Sequence, residues 1–118
     1  MKVEALEFVT AIRHNVIETG GLMYQTSFEK AVEGTVEATD PVWKEIIPIY
    51  ISLTKEQKED FLEFLRLVQV NAVSQIFGIL DGSSFLSKAR ENLILTVESS
   101  GKAINGDLQD IFLAMEEE

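Results

Sequence analysis

The chain has 118 residues, 46% of them hydrophobic and 25% charged, which suits one domain around one core and argues against wholesale disorder. Twenty Asp and Glu against ten Lys and Arg leave a formal net charge of −10, a surface field that repels phosphate backbones and anionic headgroups, so neither nucleic-acid nor membrane binding is expected. The absence of cysteine excludes disulfides, thiolate nucleophiles and thiolate metal sites.

The opening residues Met1 to Glu7 carry acids where an export signal needs a positive start and an apolar run. No apolar stretch approaches the roughly 20 residues of a membrane span, and a cytoplasmic location is expected. Ala5, Phe8, Val9, Ile12 and Val16 recur at three- and four-residue steps, which predicts an amphipathic helix over 3–18 with Glu7, His14 and Glu18 on its opposite side. Gly20-Gly21 is expected to end that helix. A second, shorter helix is predicted over 24–32, with Tyr24, Phe28 and Ala31 or Val32 turned inward.

The stretch 34–41 reads as a loop, and Asp40-Pro41 as a helix start with Asp as N-cap and Pro in the first turn. The helix that follows should carry Trp43, Ile46, Ile47 and Tyr50, with a kink or break at Pro48, which lacks the backbone N–H and clashes with the preceding turn. Thr54-Lys55-Glu56-Gln57 has the form of a capping box, the sharpest boundary in the sequence. From there an uninterrupted helix over 55–80, about 39 Å long, should be the spine of the domain. Apolar residues from Phe61 to Leu80 occupy most of its circumference and leave only a narrow polar stripe through Glu59, Glu63, Arg66 and Ser74. Such a helix must be covered on more than one side, by other helices of the chain or by a second copy in a homodimer, and the sequence leaves both open.

Asp81-Gly82 closes the spine, and 83–90 gives no clear pattern. Leu93, Leu95 and Val97 alternate with Ile94, Thr96 and Glu98, and Ser99-Ser100-Gly101 supplies a turn, so one small β-hairpin is predicted over 92–105. Asp107 then reads as the N-cap of a closing helix with Leu108, Ile111, Phe112 and Met115 on one stripe. The acids Glu116-Glu117-Glu118 oppose the negative end of its dipole, and fraying is expected there. The fold class is thus α+β but predominantly helical: four or five helices around a long central one, with one hairpin before the last.

His14 is the only histidine, and with Glu18 four residues on and Glu7 seven back it is the one group that could act as a general acid or base near neutrality. The competing reading is a solvated helix face with a modest His and Glu pair. Asp81, Asp107 and Asp110 could offer oxygen ligands to a hard cation, but their spacing matches no calcium loop, and helix capping and turn chemistry account for them. No metal and no cofactor are therefore expected. Phosphate-loop, nucleophile-elbow and zinc-protease patterns are all missing. Trp43, if exposed, is the best candidate for a protein interface, with Tyr50 further along the same helix as a second.

The segments Phe77-Gly78-Ile79-Leu80-Asp81-Gly82 and Asn105-Gly106-Asp107-Leu108-Gln109-Asp110-Ile111-Phe112-Leu113 resemble a family of small uncharacterised bacterial proteins. Thr39 to Lys44 and His14 to Glu18 are also similar to segments in them. The resemblance implies no activity and transfers no functional residue. The function expected is a non-enzymatic protein-interaction or regulatory module whose acidic surface faces a basic protein partner, an immunity-like or inhibitor role being one instance. The alternative is a small enzyme using His14 with Glu7 and Glu18.

Overall fold

The computed structural model describes residues 2–34, 39–83 and 92–117. Its first element is a continuous helical rod: α1 (Lys2–Ile12), a π-helical segment (Arg13–Thr19) and α2 (Gly20–Glu33) follow one another without a break. The expected stop at Gly20-Gly21 and the separate second helix are both overturned. Gly20 keeps right-handed helical angles, φ −61° and ψ −44°, and its missing Cβ lets the Gln69 side chain come in, since a Cβ there would lie 3.1 Å from Gln69 Nε2. Packing against that neighbour outweighs a helix-propensity cost of about 1 kcal/mol for a glycine. The rod ends instead at Gly34, in the left-handed region at φ 75°, whose N–H reaches back to the Ala31 and Lys30 carbonyls.

The wider turn of the π-helical segment releases carbonyls that side chains then satisfy. Asn15 Nδ2 donates to the Ala11 carbonyl at 2.8 Å, and Gln69 Nε2 donates to the Val16 carbonyl at 3.2 Å. Two of the next helices start where expected. Asp40 Oδ1 accepts from the Val42 and Trp43 amides at the head of α3 (Pro41–Ser52), and a complete capping box between Thr54 and Gln57 opens α4 (Lys55–Asp81). The expected break at Pro48 is not found: α3 runs through it. Pro48 and Lys44 are both exposed, so the Lys44 carbonyl left without its helical donor can turn to water.

The β-hairpin expected over 92–105 is also overturned, and with it the α+β class. No strand occurs among the described residues, which form a helical bundle, and the segment folds back on itself through a single isolated antiparallel bridge between Thr96 and Ala103. The inside–outside alternation is present, Leu93, Leu95 and Val97 being half-buried and Ile94, Thr96 and Glu98 exposed. A ladder does not propagate because the Asn105 side chain takes its next position. Asn105 Oδ1 accepts from the Leu95 amide at 2.9 Å, while Nδ2 donates to the Leu93 carbonyl at 2.8 Å and to the Leu80 carbonyl at the end of α4. Residues 84–90 of the unassigned stretch and 35–38 of the expected loop lie outside the described residues.

The main core gathers Ala5, Val9, Ile17, Val70, Val73, Phe77, Ile104, Leu108 and Phe112, so α1, the second half of α4, the bridged segment and α5 (Leu108–Glu116) close on one another. Phe77 is its centre, 6.1 Å from the Phe8 ring and 5.6 Å, edge-on, from Phe112. Close approach of α4 and α5 relies on Gly78, where a Cβ would meet the Gln109 side chain at 3.0 Å. Gln109 Nε2 in turn donates to the Ser74 carbonyl at 2.9 Å. No helix among the described residues is long and apolar enough to cross a membrane.

Asp107, the expected cap of α5, makes no side-chain capping bond. The carboxylate that serves this helix comes from α4: Asp81 accepts from the Gly106 amide at 2.6 Å and from the Gln109 amide at 2.8 Å. Asp81→Ala should therefore lower stability by about 1–2 kcal/mol, whereas Asp107→Ala should stay within about 0.5 kcal/mol of the parent. Urea denaturation of the two variants checks the assignment, and equal losses would refute it.

Candidate functional site

Two places combine accessible side chains with defined geometry. The first surrounds His14 on the π-helical segment. His14 Nδ1 lies 3.2 Å from Glu18 Oε2, so the expected pair forms, and His14 is 65% exposed. Glu7 does not join it: no hydrogen bond or ion pair links the two among the described residues. Glu18 has a second partner, since its other oxygen takes a 2.8 Å bond from Arg13. Arg13 Nε then reaches Glu116 Oε1 at 2.9 Å, and Arg66 Nη2 reaches Glu116 Oε2 at 2.8 Å. This chain of charges ties the rod, α4 and the end of α5 together. The histidine is the outermost link, and its hydrogen-bond partner among the described residues is Glu18.

Of the acids expected to fray, Glu116 is instead held in place by two arginines. Burial alone would push its carboxyl up, but hydrogen bonds and charge from Arg66 and Arg13 hold it below its ordinary value of 4.5. Asp81, the centre of the candidate cation cluster, is spent on the α5 amides, and no group of three His, Cys, Asp or Glu among the described residues could hold a metal ion.

The second place is an apolar groove of about 340 Å³ between α2, α3 and the first half of α4, lined by Tyr24, Phe28, Trp43, Ile46, Phe61 and Phe64 with Val42 and Leu65. Its floor is an aromatic cluster. Phe28 is buried, 4.8 Å from the Trp43 ring, 4.4 Å and stacked on Tyr50, and 5.4 Å edge-on to Phe61. Tyr24 stacks on Trp43 at 6.1 Å. On the other side of this pair lies a cavity of about 320 Å³ with more polar walls, including Asn15, Ser27 and Gln69.

Of the two interface candidates, Trp43 is half-buried at the groove wall, while Tyr50 is only 4% exposed and packs against Phe28 and Phe61 without lining the groove. Burial, and after it the charge of Glu29, pushes the Tyr50 hydroxyl above its ordinary value, so it stays protonated at neutral pH. Val42 and Phe64, 68% and 60% exposed, are invisible to sequence reasoning as groove residues. Nothing in a helical period tells which turn of an apolar helix its neighbours fail to reach.

Comparison with family models, with curated proteins and with solved structures finds no match to this chain. Its two candidate sites rest on their own geometry.

The Glu116 pairing gives a pH-dependent expectation. A carboxyl held below its unfolded value contributes stability above that value and loses it as pH falls through the folded one. Glu116→Gln should cost about 1 kcal/mol at neutral pH, near the upper end for partly exposed pairs, and the difference from the parent should vanish well below pH 4.5. Denaturation at the two pH values measures it.

Proposed function

We propose that the chain is a non-enzymatic protein-interaction or regulatory module of the cytoplasm, and that a basic amphipathic segment of a partner protein docks in the Trp43 groove. The single observation that carries this reading is an open, almost wholly apolar groove on a chain of net charge −10. Contiguous exposed apolar surface is a mark of interaction sites. A buried floor of stacked aromatics with one accessible Trp is the kind of rigid pocket that concentrates binding energy.

Charge chooses the partner. Exposed acids stand on all three groove helices, among them Glu29 on α2, Glu45 on α3, and Glu59, Asp60 and Glu63 on α4, with Asp40 capping α3. They favour a segment whose apolar face fills the groove and whose Lys or Arg meet the rim, the helix-in-groove mode of recognition. An immunity-like or inhibitor role is one biological form this would take. The alternative enzyme built on His14 draws no support from a histidine paired with a carboxylate already shared with Arg13.

Trp43 is the only Trp, so its emission reports directly on the groove. Titration with a lysine-rich amphipathic helical peptide should shift that emission saturably, more weakly at higher salt, and Val42→Asp should weaken binding about tenfold or more. An emission unmoved by such a peptide, or moved equally by an acid-rich counterpart, would refute the proposal.

A further inference from the structure

On α4 apolar residues stand on both the buried and the exposed side. Two of its polar residues are engaged with α5, the exposed Arg66 with Glu116 and the half-buried Ser74 with Gln109, while Asn71 and Gln75 face solvent. From Leu67 to Ile76 the exposed residues are apolar except for Asn71 and Gln75. Phe64, Leu67, Val68 and Ile76 are 60%, 52%, 49% and 57% exposed, and Ala72 is exposed between them. Phe64, Val68, Ala72 and Ile76 follow one another at four-residue steps, a single ridge about 18 Å long. From Leu67 to Leu80 the helix contains no charged residue at all.

We propose that this ridge is the twofold interface of a homodimer, in which α4 of one protomer crosses α4 of the other in antiparallel sense. Surface area is the first argument. The chain exposes 8446 Å², about 2,000 Å² more than the roughly 6,400 Å² expected for a compact protein of its mass. Its radius of gyration of 17.9 Å likewise exceeds the roughly 13.5 Å of a compact domain of this length. A standard interface takes about 800 Å² from each partner, less than this whole-chain excess.

Self-complementarity is the second argument. Ridges of four-residue spacing interlock at a crossing of about 50°. An antiparallel crossing centred near Val70–Asn71 sets Phe64 against Ile76 of the partner subunit and Val68 against Ala72 of the partner subunit, large against large at the ends and medium against small at the centre. Charge selects the same sense. Each copy is strongly acidic, and a contact surface free of charge adds no repulsion of its own. The antiparallel crossing also keeps Glu59, Asp60 and Glu63 of the two α4 helices apart and sets the helix dipoles in opposition. The ridge and the Trp43 groove share Phe64, and salt tells their occupants apart: a basic partner in the groove should weaken as salt rises, whereas two acidic copies should associate more tightly.

Light scattering over a dilution series, with variants, tests it. The parent should pass from twice 13.2 kDa to that mass on dilution, and the transition should move to lower protein concentration as salt is raised. Val68→Glu and Ile76→Glu should each raise the dimer dissociation constant about a hundredfold or more, by burying an unpaired charge, while helical circular dichroism stays that of the parent. Val68→Gln serves if either acidic variant unfolds, with a smaller shift in the same direction. Because the chain has no cysteine, Asn71→Cys should cross-link to its symmetry mate on oxidation and Glu59→Cys should not. A monomer at every concentration would overturn the proposal. So would a dimer that survives the Val68 and Ile76 substitutions, or cross-linking at position 59 rather than 71.

Discussion

One helix has too much apolar circumference for the rest of the chain to cover, and the architecture follows from how its neighbours divide it. The second half of α4 gives Val70, Val73 and Phe77 to α1 and α5, and its first half gives Phe61 to the cluster built on Phe28 and Tyr50. The rod of α1, the π-helical segment and α2 has to run unbroken past both halves to reach each of them. That is why it does not stop at Gly20-Gly21, and why the molecule is 49 Å long.

Polar residues set the direction in which α4 faces. Arg66, Ser74 and Asp81 are each engaged with α5, through Glu116, Gln109 and the first amides of that helix. Asn105 adds a further tie, joining the end of α4 to the bridged segment. These bonds bring α5 onto the side of α4 that carries Arg66, Ser74 and Asp81. They also leave the ridge from Phe64 to Ile76 outside, so the exposed grease is a consequence of how the core is locked. The motif Phe77 to Gly82 with Asn105 to Leu113 is, in physical terms, this lock: Gly78 for close approach, Asp81 for capping, Asn105 for bridging and Phe112 for the core.

What can be read from the residues is local and self-contained. The capping box at Thr54 and the Asp40-Pro41 start depend on side chains three residues apart, and both appear as expected. So do the length of α4 and the apolar stripe of α5, because periodicity reports them directly. Most of the departures involve a distant partner. Gly20 looks like a stop until Gln69 fills the space beside it, and Asp107 looks like a cap until Asp81 supplies one from another helix. Glu116 looks like a frayed acid until Arg13 and Arg66 reach it. The hairpin does not form for a related reason, since Asn105 offers the backbone a side-chain substitute for the strand ladder. Of the site, Trp43 is legible as an aromatic on an apolar stretch. The groove around it is not, because it is the space left between three helices.

With α4 buried on one side and bare on the other, two adjacent residues should behave in opposite ways. Phe77 is 2% exposed and Ile76 is 57% exposed on the same turn. Equilibrium denaturation at low protein concentration should give a loss of about 3–5 kcal/mol for Phe77→Ala and under about 1 kcal/mol for Ile76→Ala. Comparable losses, or a larger one at Ile76, would mean that α4 turns a different face to the core.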